Sequence, residues 1–75
     1  MEPTNEDRAE WAAEAVKAFA RRTGQDKSGD LKHEPELVLA DLLCDLMHYA
    51  DRDRLNFYLA LQNGQSNFRE EKAGG

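Results

Sequence analysis

The chain contains no isoleucine, and its other β-branched residues are Val16, Val38, Thr4 and Thr23. Strands draw on Val, Ile, Thr and aromatic residues, so a sheet has almost nothing to be built from. Against this stand ten alanines and nine leucines, residues that lose little on entering a helix. The expectation is an all-α domain, a three-helix bundle. With 75 residues there is room for one core. A domain of this size buries only about 60% of its unfolded surface, which leaves it marginal and open to help from a partner.

Local signals set the helix boundaries. Thr4 followed by Asn5, Glu6 and Asp7 reads as a hydroxyl cap with acids in the first turn, where the helix dipole favours them. Trp11, Ala12, Ala15, Val16, Phe19 and Ala20 then recur at helical spacing, and Arg21, Arg22, Thr23 and Gly24 close the pattern. A first helix is predicted over about 5–22, preceded by a flexible segment 1–4. Glu14 and Lys17 stand three apart, suited to a weak exposed ion pair. Residues 24–34 hold one strongly apolar side chain, Leu31, and read as a mobile loop. Pro35 suits the first position of a second helix, about 35–51. Asn56 reads as a cap for a third, 57–71, with Leu55 and Ala60 placed as a hydrophobic staple. Phe57, Ala60, Leu61, Gly64 and Phe68 continue at three- and four-residue steps, although Asn63-Gly64 also suits a turn. The tail 72–75 reads as disordered.

The second helix carries the most information. Leu37, Val38, Leu39, Ala40, Leu42, Leu43, Cys44, Leu46, Met47, Tyr49 and Ala50 cover most of its circumference. The polar remainder, Asp41, Asp45, His48 and Arg52, falls on one narrow line. A helix apolar over most of its surface is packed on several sides, and two short companions hardly suffice. Self-association, as a homodimer, or docking on another protein is therefore expected.

That polar line is the one cluster with plausible chemistry. Asp45 and His48 stand three apart, the spacing at which a carboxylate and an imidazole on one helix ligate a metal. Asp41 lies one turn before them, and further ligands would come from Glu10, Glu14 or a second subunit. The plainer reading, a solvated stripe with an Asp45–His48 ion pair, is preferred, so no metal and no cofactor is expected. Cys44 reads as a buried structural thiol, since no cation lies near it in sequence to lower its pKa. Trp11, Phe19, Tyr49, Phe57 and Phe68 fall on apolar stripes and read as core. Tyr58 lies at an edge, facing solvent or a partner, and His33 carries no local signal.

Fifteen acidic residues against ten basic ones give a net charge of −5, which argues against direct binding to nucleic-acid phosphates. The single cysteine excludes a disulfide framework. Met1-Glu2 and the acidic residues beyond do not form a signal peptide, and Leu37–Ala50 is too short to span a bilayer, so a cytoplasmic location is expected. There is no phosphate-binding glycine loop, no cysteine pair for zinc and no Ser/His/Asp set at recognisable spacing. The terminal Gly74-Gly75 is similar to a ubiquitin-like conjugation tail, but that chemistry goes with a sheet-rich fold.

Asp41-Leu-Leu-Cys-Asp-Leu-Met-His-Tyr-Ala-Asp51, followed by Leu55-Asn56-Phe57 and Ala60-Leu61, resembles a family of small uncharacterised bacterial proteins carried by integrative elements, plasmids and phages. The similarity runs from about Trp11 to Glu71. It implies an accessory role, such as countering a host defence system in the manner of an anti-CRISPR protein or nucleic-acid mimic, or regulating the element. Leu39-Ala40-Asp41-Leu42-Leu43 with Ala50-Asp51 is also similar to the second metal-binding helix of MazG-type nucleotide pyrophosphatases. That resemblance implies a carboxylate role for Asp41. The family's companion glutamate falls at Val38, however, and Glu10 and Glu14 are four apart where the family uses three.

The leading expectation is thus a non-enzymatic, acidic interaction protein. Its partner-facing residues would be Asp41, Asp45, His48, Arg52, Tyr58, Glu10 and Glu14. A divergent metal-dependent pyrophosphatase, or a purely structural dimeric subunit, are the alternatives.

Overall fold

Helix signals at three places in the chain are obeyed almost to the residue. The computed structural model describes residues 2–74, in the order α1 (Asn5–Thr23), α2 (Asp30–His33), α3 (Pro35–Arg52) and α4 (Phe57–Gly74), with no strand among them. The fold is all-α and bundle-like. Thr4 closes a reciprocal capping box: its hydroxyl accepts from the Asp7 N–H at 3.1 Å, and its own N–H donates to the Asp7 carboxylate at 2.9 Å. Pro35 opens α3, and Asn56 caps α4 by accepting from the Leu59 N–H at 3.0 Å. Leu55 and Ala60, the expected staple, line one apolar crevice with Leu46 and Ala50. Helix α4 passes through Gly64 without a break.

Two segments differ from expectation. Residues 24–34 contain the one-turn helix α2, which packs on α3 and half-buries Leu31. Residues 72–74 continue α4 instead of leaving it, because the i→i+4 ladder carries on past Glu71. Met1 of the expected flexible start and Gly75 of the expected tail lie outside the described residues.

Helices α1 and α3 end in the same way. At each end the N–H of the residue just after a left-handed one reaches back five positions, Gln25 to the Ala20 carbonyl and Leu55 to the Ala50 carbonyl, both at 2.8 Å. This arrangement needs one residue in the left-handed region. After α1 that residue is Gly24 at φ 80°; after α3 it is Arg54 at φ 58°. A side chain in that conformation costs about 1–2 kcal/mol, part of which is offset because glycine is freer in the unfolded chain. Gly24→Ala is therefore expected to lower stability by about 1 kcal/mol. Arg54→Gly is expected to raise it by about 0.5–1 kcal/mol, or roughly 4 °C in Tm. Thermal melts of the two variants should move in opposite directions.

The core is small. Among the described residues Ala20, Val38 and Ala50 are buried, and Val38 alone of these is both large and fully enclosed. Ala20 and Ala50 supply the carbonyls that the two helix ends reach back to. Helix α3 is central, touching α1, α2 and α4. Helices α1 and α4 meet end to end, where Arg8 pairs with Glu71 at 3.4 Å and the Asn5 side-chain amide donates to the Glu71 carbonyl at 3.1 Å.

Several side chains expected in the core stand outside it. Trp11 is 55% exposed, Tyr49 49% and Phe68 64%, while Phe19 and Phe57 are half-buried. Cys44 is also exposed rather than a buried thiol. The reason is geometric: three helices radiating from α3 cover its flanks, and no further element lies over the faces left between them. The chain exposes 6421 Å², against about 4,650 Å² for a compact folded monomer of its mass. Its radius of gyration is 14.1 Å, where about 11 Å is usual for this length.

Candidate functional site

The polar line on α3 does not act as a unit. Asp41 turns toward α1 and is half-buried, accepting a 2.7 Å hydrogen bond from the Gln25 side-chain amide. Gln25 in turn accepts from the Thr23 hydroxyl, also at 2.7 Å. Asp41 thus ties the end of α1 to the middle of α3. Asp45 lines the same cleft, together with Phe19 and Cys44. His48 lies outside that cleft and is exposed. Arg52 points elsewhere: its guanidinium pairs with Asp53 at 2.7 and 3.2 Å and lies 5.4 Å from the Tyr49 ring centre. The hydrogen bond to Asp53 raises the Arg52 pKa above its ordinary value, partial desolvation lowers it, and Tyr49 adds a small upward contribution.

The expected Asp45–His48 and Glu14–Lys17 ion pairs do not form. Among the described residues the ion pairs are Arg8–Glu71 and Arg52–Asp53. Each expected pair needs two flexible side chains to give up rotamer freedom for a weak, water-screened attraction. Glu10 and Glu14 lie exposed on α1 and do not line the Asp41 cleft. Tyr58 is 68% exposed, at the edge where it was expected.

A metal centre of the pyrophosphatase kind does not fit this donor set. Among the described residues no group of three or more His, Cys, Asp or Glu side chains is arranged to hold a cation. The nearest acid, Asp41, is engaged by Gln25, and the position of the resembled family's companion glutamate is the fully buried Val38. Asp41 is a tie between helices. Asp41→Ala is expected to lower stability by about 1–2 kcal/mol through the lost charge-assisted hydrogen bond, while Asp41→Asn, which keeps an acceptor, loses less. Urea titrations of the three proteins would rank them.

A second feature of the surface is apolar. Helix α3 presents Leu39, Leu43, Leu46 and Ala50 at steps of four, three and four; α4 presents Phe57, Leu61, Gly64 and Phe68 at the same steps. These are the spacings of two seams meant to interlock. They meet at the Leu46–Ala50 end and diverge away from it, leaving a groove of about 610 Å³ lined by Leu43, Phe57, Leu61, Gly64 and Phe68 together with the polar Gln65 and Arg69. Leu39, Leu43, Leu46, Leu61 and Phe68 all remain substantially exposed. The apolar excess of residues 37–50 points to association, while the residues expected to face a partner, Asp41, Asp45, His48, Arg52, Tyr58, Glu10 and Glu14, do not line this groove. The four-three-four steps of the two seams were the available signal. Gln25 had none, being an unremarkable loop residue sixteen positions from its partner.

No helix among the described residues is long and apolar enough to cross a membrane. Compared with known proteins, the chain matches no family model, no curated protein and no solved structure.

Proposed function

We propose that this chain is a non-enzymatic helical interaction protein that works by docking its α3–α4 face on another polypeptide, and that it self-associates as a homodimer. The observation that carries this reading is the row of large apolar side chains left exposed along both seams. Exposed apolar patches of more than a few hundred Å² on small soluble proteins mark sites of association. The absence of a converging donor set among the described residues gives the pyrophosphatase alternative no comparable support.

The resemblance over residues 11–71 to small proteins of bacterial mobile elements extends the proposal to an accessory role: the dimer engages a host protein, such as a component of a defence system. Its net charge of −5 favours a basic nucleic-acid-binding groove as the target, with the acidic surface competing for it. Such binding weakens as salt rises, because screening shortens from about 10 Å at 0.1 M to about 3 Å at 1 M ionic strength. Tagged protein should therefore retain a host protein from a bacterial lysate at low salt and release it at high salt. Recovery of none at low salt would remove the accessory role. Release of pyrophosphate from a nucleotide panel with Mg²⁺ or Mn²⁺, abolished by Asp41→Asn, would replace the whole reading with the enzymatic one.

A further inference from the structure

We infer that the α3–α4 groove is the open form of a hairpin, and that α4 swings about the loop 53–56 to lie antiparallel along α3, closing the groove with its own seam. A polar clasp at the far end of α4 holds the open form. Closure hides the face proposed above for docking, so its regulatory meaning rests on that reading.

The register of the two seams carries the inference. In an antiparallel pair, each step forward along one helix is matched by an equal step back along the other. Ala50 stands against Phe57 across the loop. Equal steps from there set Leu46 against Leu61, Leu43 against Gly64 and Leu39 against Phe68, with no mismatch along the way. Alternating steps of four and three keep such seams facing each other. The Ala50–Phe57 and Leu43–Gly64 rungs pair a small residue with a large one, as interdigitating layers do. A loop of this length is the usual link between antiparallel helices. The zipper is already begun beside it, where Leu46, Ala50, Phe57 and Ala60 line one crevice. Of the polar groove residues, Gln65 falls on the flank of the closed seam and Arg69 on its outer side. Asp41, tied to Gln25 beyond α1, falls on the side of α3 away from the seam, so closure leaves that tie in place.

The other end of α4 is held away from α3 by polar contacts. Arg8 pairs with Glu71 at 3.4 Å, the two side chains being 45% and 37% exposed, and the Asn5 amide donates to the Glu71 carbonyl at 3.1 Å. Exposed contacts of this kind contribute little, so the clasp can be released. One step beyond the Leu39–Phe68 rung the register brings Glu36 against Glu71. Glu71 therefore meets a cation in the open form and a like charge in the closed one. Charge favours opening, while burial of the two seams favours closure.

Spin labels on Leu37→Cys and Glu70→Cys, in a Cys44→Ser background, lie level with each other in the closed register. Diluting the labelled chain into a large excess of unlabelled chain restricts the measured distances to single molecules. With the clasp intact, pulsed electron-spin resonance should show one major distance. Asn5→Ala with Arg8→Ala should add a shorter one, raising the closed fraction roughly tenfold while the helical circular-dichroism signal is unchanged. Adding Glu36→Lys should raise it further, by giving Glu71 a cation in the closed form. Leu39→Glu charges a rung of the hairpin outside the groove lining and should remove the shorter distance. A distance unmoved by loss of the clasp, or a spread to longer distances that Leu39→Glu does not alter, overturns the closure. Closure in a chain that neither dimerises nor retains a host protein supports the hairpin and removes the docking reading. Dimerisation or capture without closure does the reverse.

Discussion

Val38→Glu is expected to abolish the cooperative thermal transition of this protein. Among the described residues Val38 is the one large side chain that is fully enclosed, and it lies on α3, the helix on which the other three pack. The described structure buries no charged or polar side chain, so nothing nearby is set to receive a carboxylate. A glutamate there must either ionise without a partner or become neutral at the cost of a strongly raised pKa. Either course costs about 3–5 kcal/mol, equivalent to some 15–30 °C for a domain this small, and the core has little to spare. Val38→Ala should cost about 2 kcal/mol by comparison, as a modest cavity. Circular-dichroism melts of the two variants beside wild type decide the matter. If Val38→Glu melted within a few degrees of wild type, position 38 would be open to water. The carboxylate pattern of the nucleotide pyrophosphatases would then regain its place as a scaffold for this chain.

The second large effect is on the dependence of stability on concentration. If two copies complete each other's core, folding and association are linked, and Tm rises with protein concentration. A hundredfold increase in concentration adds about 2.7 kcal/mol per dimer, or roughly 1.4 kcal/mol per chain, which raises Tm by about 5–10 °C. Leu43→Glu places a charge in the groove and should remove this dependence while lowering Tm at high concentration. Differential scanning calorimetry at three concentrations reads both. A wild-type Tm that stayed constant across them would mean the apolar seams are not satisfied by self-association.

How far the sequence foretold this structure depended on the range of the interaction involved. The Thr4 cap, Pro35 at the start of α3 and the Asn56 cap were all legible because each acts within four residues of itself. Arg54 was not legible as a left-handed residue. Arginine carries no turn signal, and the conformation is imposed by the closure of α3 onto Leu55. The tie between Asp41 and Gln25 was also out of reach, since it depends on how α1 crosses α3. Cys44, Trp11 and Phe68 were read as core because they lie on apolar stripes. A stripe states that a face wants cover, and says nothing about whether the same chain provides it.

The shortage of β-branched residues and the capping signals determined, by themselves, that the chain is helical and where its helices begin. Those are matters of backbone torsion and neighbouring hydrogen bonds, complete within a turn or two. The apolar content of residues 37–50 likewise established that more grease is present than two companions can hide. Only the tertiary structure decided which of it is hidden. The packing of α1, α2 and α4 on α3 leaves Val38 enclosed and Leu43, Leu61 and Phe68 facing water. Burial depends on where helix axes cross, and that is set by all the contacts of the chain together rather than by any local pattern.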